Sequence, residues 1–218
     1  MAEQLLTDIT TLRRSPLSHL HQQLADAAVA GERGVSLREI PFLTMVGIRV
    51  DPATAAAGAL AAKAGVPLPA GHGAVTGTPG GTAILWQGPD EFLLVGPEEP
   101  AGAAAGHSGL PGDPRAQELV RALGEEPGQV VDLSANRTTL ELSGPSARAV
   151  LEKGCPMDLH PRVFAVGTAV ATTLGPVQVV LWRTAEQTWR IMPRPSFAEY
   201  VARWLLDAMT EFASPEVP

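Results

Sequence analysis

Residues 48–67, IRVDPATAAAGALAAKAGVP, open with the strand-like tail Ile48 and Val50, break at Asp51-Pro52 and run on through alanines to Lys63 and Gly65. A carboxylate can cap the orphan amides of a first helical turn and proline is pre-set for its first position, so the stretch predicts a strand passing directly into a helix. The same order returns at residues 140–156, LELSGPSARAVLEKGCP. There a strand ends at Ser143-Gly144-Pro145, a shorter helix follows, and Lys153 with Gly154-Cys155-Pro156 stands where the first copy has Lys63 and Gly65-Val66-Pro67. The shared wording points to duplication of one strand–helix unit.

Working outward, the first copy's strand is read as Phe42 to Val50. A Gly-rich loop after its helix leads to a hairpin, Thr82–Gln87 and Glu91–Val95, turning at Gly88-Pro89-Asp90. Residues Gly96 to Pro114, rich in Gly, Pro and Ala, read as a flexible loop. Pro114 starts a helix through Leu123, and Gln129–Leu133 is a strand. The second copy's strand is Arg137–Leu142, and its helix ends at Gly154. Thr168–Leu174, Val177–Trp182 and Thr188–Met192 then alternate as three strands. Pro195–Phe212 closes the chain as an amphipathic helix burying Phe197, Val201, Trp204, Leu205 and Met209. Before all of this lie a Ser15-Pro16 break and a helix, Leu17 to Gly31, with Leu17, Leu20, Leu24, Ala27 and Ala28 at helical spacing. Strand, helix, strand, strand, helix, strand is the split βαβ order, and the remainder is a variant of it. The expected fold class is therefore α+β: two ferredoxin-like lobes at 36–133 and 134–218, with an N-terminal extension at 1–35.

Composition limits the function. The chain has 218 residues, 45% hydrophobic and 18% charged, with 23 acidic against 16 basic residues and a net charge of −7. That length buries a core without staples. One cysteine excludes an intramolecular disulfide and any cysteine-only metal or iron–sulfur site, and suits a reducing compartment. The acidic balance with scattered arginines argues against nucleic-acid binding. The N-terminus has acids before its arginines and no apolar core with a small-residue cleavage site, and the longest uncharged apolar stretch, Ala53–Ala62, is half of what a bilayer needs. A soluble, cytoplasmic protein is expected, in which the sequon Asn136-Arg137-Thr138 is chance.

No motif carries chemistry by itself. Gly71–Gly77, GHGAVTG, resembles a dinucleotide loop, but its last glycine is one place late and no strand precedes it, so a plain loop is expected. Neither a P-loop nor a nucleophile elbow is present. Cys155 follows a helix C-terminus, where the dipole disfavours a thiolate, and reads as a filler. His19 and His21, two apart on a helix, face different ways and cannot share an ion. Asp158 and His160 could align if extended, but two ligands do not make a site. His72 and His107 stand alone in sequence, and surface hydrogen bonding is expected for all five histidines. Asp90-Glu91 at a turn tip is solvated. Asp132 and Arg137 flank the junction between the lobes: either they pair and fix it, or Arg137 reaches an acidic partner surface or a ligand carboxylate. Trp86, Trp182, Trp189 and Trp204 read as core or interface anchors. The catalytic, cofactor-binding and metal-ligand residues expected in this chain are none.

One set of residues is specific as a group: Asp132-Leu133-Ser134, Arg137, Leu140 to Pro145, Leu151, Lys153-Gly154-Cys155-Pro156 and Asp158-Leu159-His160-Pro161. With Gly88 to Leu94, Arg190 to Arg194, Ser196-Phe197 and Ser15-Pro16-Leu17, it resembles the gamma subunit of heterotetrameric sarcosine oxidase over nearly the whole chain. The resemblance implies a fold similar to folate-dependent aminomethyltransferase domains. It also implies a structural subunit of a complex that oxidatively demethylates sarcosine to glycine, yielding peroxide and a one-carbon unit passed to tetrahydrofolate or released as formaldehyde. Alpha, beta and delta subunits would be the partners, carrying FAD, FMN, NAD, tetrahydrofolate and zinc, with no cofactor in this chain. An alternative from another class is a free-standing folate-binding aminomethyltransferase-like protein, against which the acidic charge counts, since a polyglutamyl tail wants a basic groove. A related oxidase acting on another N-methyl amine is a third, and the choice of substrate would lie in the flavin subunit.

Overall fold

The computed structural model describes residues 14–98 and 114–213. All but the ends of the expected flexible loop, and His107 with it, lie outside the described residues. The chain divides into two compact units, one built on Phe42–Ala135 and the other on Pro16–Pro41 together with Asn136–Pro218.

In unit 1, β2 (Met45–Arg49) leads to α2 (Ala55–Ala64), followed by β3 (Val75–Gly77), β4 (Ala83–Gly88), β5 (Glu91–Val95), α3 (Pro114–Leu123) and β6 (Gln129–Asp132). The sheet order is β3-β4-β5-β2-β6, with every neighbour antiparallel. Without β3 this is the ferredoxin-like order: fourth, first, third and second strands side by side. Alternation sends Val46, Ile48, Ile84, Phe92 and Leu94 to the helical face, where Ala56, Ala57 and Leu60 of α2 and Ala116, Leu119 and Leu123 of α3 meet them. Met45, Leu85, Leu93 and Val95, on the other face, are buried as well.

Two local expectations are corrected here. The cap of α2 is Thr54, whose extended backbone lets Oγ1 accept from Ala57 N, while Asp51 Oδ1 accepts from Ala53 N in the turn before it. The helix therefore begins three residues beyond Pro52, and it ends as expected on Gly65 in the left-handed region at φ 76°. The Gly71–Gly77 stretch is not all loop, since Val75–Gly77 adds an edge strand to β4.

In unit 2, α1 (His21–Asp26) and β1 (Ser36–Ile40) come from the N-terminal segment. After unit 1 follow β7 (Thr139–Ser143), α4 (Ala147–Glu152), β8 (Ala169–Leu174), β9 (Val177–Ala185), β10 (Thr188–Pro193), a 3-10 turn at Pro195–Phe197 and α5 (Ala198–Ala213). The sheet order is β1-β7-β10-β9-β8, again antiparallel throughout. Segment Pro16–Pro41, read from sequence as an extension plus the start of the first lobe, thus packs in unit 2. β1 supplies a ladder for the open side of β7, and Leu17, Leu20 and Leu24 enter the same core as Leu140, Leu142, Val150 and Leu205. The continuous helix expected from Leu17 to Gly31 is regular over His21–Asp26 and ends in a Val29–Val35 bridge closed through Gly31.

Helix α5 buries Ala198, Val201, Ala202, Leu205, Ala208 and Met209, with Trp204 half-buried. Each large apolar side chain so buried contributes about 1.5–3 kcal/mol. Phe197, expected in that stripe, is 50% exposed. It lies in the 3-10 turn, where a three-residue period replaces the 3.6 of the helix and rotates the position off the apolar face.

The two units share one plan. β2, α2, β3, β4, β5, α3 and β6 correspond in sheet position and order to β7, α4, β8, β9, β10, α5 and β1. The strand–helix pairs that correspond are those whose sequences share wording. The difference is that unit 2 takes its fourth strand from the N-terminal side of the chain, a circular permutation of the plan.

Candidate functional site

The flagged residues other than His107 each have a place. Cys155 is buried beneath the end of α4 among Leu151, Leu174, Val179, Leu181 and Ile191, with no room for a water molecule. Burial pushes its thiol pKa up, partly offset by hydrogen bonds with the Met157 backbone and the Thr172 side chain. His19 Nε2 meets Glu199 Oε2 at 3.3 Å, whereas His21 Nε2 meets Glu39 Oε2 at 2.7 Å, so the two point to different partners. His72 stands edge-on to Trp86, ring centroids 5.8 Å apart. Asp158 Oδ1 accepts from the backbone N of His160 at 2.9 Å, and the ring Nδ1 accepts from Arg162 N at 3.2 Å, so Asp158 and His160 close a loop. Glu91 pairs with Arg49 at 2.8 Å, and this hydrogen bond, ahead of the charges of Glu91 and Asp90, raises the Arg49 pKa. Trp182 and Trp189 are buried, Trp86 and Trp204 half-buried. Among the described residues no group of three or more His, Cys, Asp or Glu side chains could hold a metal ion.

At the junction, each unit uses its own residue. Asp132 Oδ1 accepts from Ser134 N at 2.9 Å and from Ser134 Oγ at 2.6 Å, while Met45 N donates to Ser134 Oγ at 3.0 Å. In unit 2 half-buried Arg137 donates from Nη1 to the Met192 carbonyl at 2.9 Å. Burial, and then the neighbouring Arg194 charge, lowers its pKa.

Two polar clusters went unread in the sequence. The Glu39 side chain on β1 is fully buried, and Oε1 accepts from Thr138 Oγ1 at 2.7 Å and from Leu17 N at 3.4 Å. On the other face of the same sheet, register sets Arg38, Glu141, Arg190 and Trp182 in one row across four strands. Glu141 is bound by Arg38 at 2.6 Å and by buried Arg190 at 3.3 Å, and Arg190 lies over Trp182. Only alternation along a correctly placed β1 could have located either cluster, and β1 itself was not recognised.

The distinctive stretch 143–161 proves to be packing machinery. Gly144, at φ +120°, passes so close to Gly34 that an added Cβ would lie 2.4 Å from the Gly34 oxygen. Lys153 donates to the Ala208 carbonyl in α5, pairs with Glu211 at 2.9 Å and lies over the Phe212 ring. Gly154 makes room for Trp204, whose ring a Cβ would approach to 2.5 Å. Leu159 is buried in the unit 2 core. In unit 1 a cleft of about 610 Å³ runs between α2 (Ala57, Gly58, Ala61), the 68–71 loop and Trp86. No charged side chain is among the residues that line it.

Residues 46–211 match the sarcosine oxidase, gamma subunit family. The chain belongs to that family. Curated relatives named sarcosine oxidase subunit gamma, from Arthrobacter sp and Corynebacterium sp. (strain U-96), are 54% and 52% identical, each match covering 100% of both chains. A chain of the heterotetrameric sarcosine oxidase from Corynebacterium sp. U-96, solved in complex with pyrrole 2-carboxylate, superposes with a TM-score of 0.86 at 52% identity, over 95% of this chain and 100% of that one. The glycine cleavage system aminomethyltransferase T from Bartonella henselae has a TM-score of 0.59 at 18% identity, over 89% of this chain and 57% of that one, a likeness of fold alone. The family's α+β fold of two ferredoxin-like lobes, akin to the aminomethyltransferase fold, is thus the fold read from the sequence.

Proposed function

We propose that this chain is the gamma subunit of a heterotetrameric sarcosine oxidase, the oxidoreductase that demethylates sarcosine to glycine, and that its part in the complex is structural. The observation that carries this is the full-length match at more than half identity to chains named as that subunit, one of them solved within the heterotetramer. Support for the structural role comes from how the family's distinctive residues are spent. Lys153 and Gly154 fasten α5, Asp158 and His160 close a loop, and Cys155 is buried with a raised pKa. FAD, FMN, NAD, tetrahydrofolate and zinc belong, in this reading, to the alpha, beta and delta subunits. Among the described residues no helix is long and apolar enough to cross a membrane, which agrees with a cytoplasmic complex.

Co-expression with the other three subunits tests the reading. The expected result is one complex containing this chain, with sarcosine-dependent peroxide formation that the purified chain alone does not show. No stable association, or turnover of sarcosine by the isolated chain, overturns it. Calorimetry of the isolated chain with tetrahydrofolate addresses the folate-binding alternative, which has only the fold likeness behind it.

A further inference from the structure

We infer that Arg137 and Arg194 form a binding site for a small carboxylate that carries no cationic group. Both residues belong to unit 2, and the site is independent of the subunit reading. Register brings them together. β7 and β10 pair Arg190 with Glu141 and Ile191 with Leu140, and two residues beyond that last pair Thr138 N donates to the Pro193 carbonyl at 3.2 Å. The next step along the same antiparallel run sets Arg194 opposite Arg137. Arg194 is still extended there, at φ −63° and ψ 147°. Like charges directly across two strands repel, so the sheet gains nothing from this pairing by itself.

The chain does not neutralise the pair. Half-buried Arg137 donates from Nη1 to the Met192 carbonyl at 2.9 Å, and exposed Arg194 donates from Nη1 to the Asn136 side-chain oxygen. Among the described residues neither guanidinium pairs with a carboxylate, and the Nε and Nη2 donors of both have no acceptor. Local sequence supplies none, since no acidic residue occurs from Leu133 to Leu140 or from Gln187 to Ala198. Glu199, the next acid along, is taken by Arg203 at 2.8 Å and His19 at 3.3 Å. Burial and then the Arg194 charge act on Arg137, both lowering its pKa, with no carboxylate to offset them.

The chain's own precedent selects the ligand. Four residues along each strand, Glu141 lies between Arg38 and Arg190, meeting the first through Oε1 at 2.6 Å and the second through Oε2 at 3.3 Å. There one carboxylate bridges two guanidiniums from separate strands. At Arg137 and Arg194 the guanidiniums recur and no side chain supplies the carboxylate, so the pair fits a ligand that brings one, its oxygens matched to the planar forks. A zwitterion fits poorly, because its ammonium group would meet two guanidiniums and no acid.

Acetate is the probe. The full chain, isotope-labelled at arginine nitrogen, is titrated by NMR with sodium acetate against sodium chloride at constant ionic strength, and Arg137→Gln and Arg194→Gln assign the two Nε–H signals. Both signals are expected to shift together and to saturate with a Kd of about 1–10 mM. Each glutamine variant is expected to lose at least about 10-fold in affinity, and glycine and sarcosine to bind at least about 10-fold more weakly than acetate. Arg194→Glu places a carboxylate opposite Arg137 from within the chain. It is expected to abolish the acetate response and to raise the midpoint of thermal unfolding above wild type, which also establishes that the variant folds. No shift, or the same unsaturated drift in chloride, overturns the site. Equal binding of glycine or sarcosine overturns the ligand class, as does tighter binding of inorganic phosphate than of acetate. A pair that ignores acetate yet is needed for the full chain to associate with the alpha, beta and delta subunits is a seat for a partner's acidic side chain, and overturns the ligand site.

Discussion

Replacing Glu39 with alanine removes the acceptor around which the N-terminal segment is tied to β7. The carboxylate side chain is fully buried and accepts from Thr138 Oγ1 at 2.7 Å, Leu17 N at 3.4 Å and His21 Nε2 at 2.7 Å. Leu17 and Thr138 are themselves buried, so alanine leaves an amide and a hydroxyl unsatisfied, at about 1–3 kcal/mol each. His21 is 47% exposed and can return to water, so its share is below about 1 kcal/mol. The expected loss is about 3–5 kcal/mol, a large part of a domain's usual stability. Glu39→Gln keeps an acceptor oxygen where the two donors converge and gives up only the charge-assisted part, about 1–2 kcal/mol. Urea unfolding followed by tryptophan fluorescence gives both values. Hydrogen exchange should show the β1 and α1 amides opening first in the alanine variant. A loss under about 1 kcal/mol for alanine, or equal losses for alanine and glutamine, would refute the assignment of Glu39 as the acceptor that holds this segment.

Three further outcomes follow from the packing of unit 2. Gly144→Ala places a Cβ 2.4 Å from the Gly34 oxygen at φ +120°, so thermal unfolding should show a loss of at least about 2 kcal/mol, and a neutral result would contradict that close approach. Gly154→Ala drives a methyl into the Trp204 ring and should cost about 1–3 kcal/mol, recovered in large part by adding Trp204→Leu, as a double-mutant cycle in unfolding measurements would register. Cys155 has its pKa raised in the folded protein, so folding holds a proton that the unfolded chain releases first. That contribution is fully present below the ordinary thiol pKa and is lost as pH rises through the folded value, so wild type should lose stability relative to Cys155→Ser above about pH 8.5. Native protein should react slowly with a thiol reagent and denatured protein at once.

What was legible in the sequence was whatever has a period or a cap. α3 begins at Pro114 and ends at Leu123 as read, since its apolar spacing and its proline agree. The β4–β5 hairpin is where Gly88-Pro89-Asp90 put it. The strand β1 escaped because SLREI places Arg38 and Glu39 among its apolar residues, a pattern that looks solvated. Glu39 is buried by a tertiary arrangement involving Thr138 and Leu17, which no local window contains. β3 escaped because three residues beside glycine have no alternation to show. Phe197 was placed on the α5 stripe because a 3-10 turn and an α-helix cannot be told apart from one turn of sequence. The polar row Arg38–Glu141–Arg190 has the same explanation as Glu39: it exists only across the register of separate strands.

The misses at β1, at Glu39 and in the polar row share one cause, and it bears on how the second unit is held together. In unit 1 the fourth strand β6 follows its helix α3 in order, so the lobe closes with contacts between successive elements. In unit 2 that position belongs to β1, whose Ser36 hydroxyl meets Ser143 across a separation of 107 residues and whose Glu39 meets Thr138 across 99. Joining such distant segments costs loop-closure entropy before any contact compensates, and the cost grows slowly with length, so a few strong local interactions suffice to hold the strand once it has arrived. The buried carboxylate with its donors Leu17, His21 and Thr138, the Gly34–Gly144 crossing and the Ser146 amide on the Gly34 carbonyl at 3.1 Å lie along this seam. The permuted strand therefore explains both where the specific polar chemistry of this chain is concentrated and why that chemistry serves the fold.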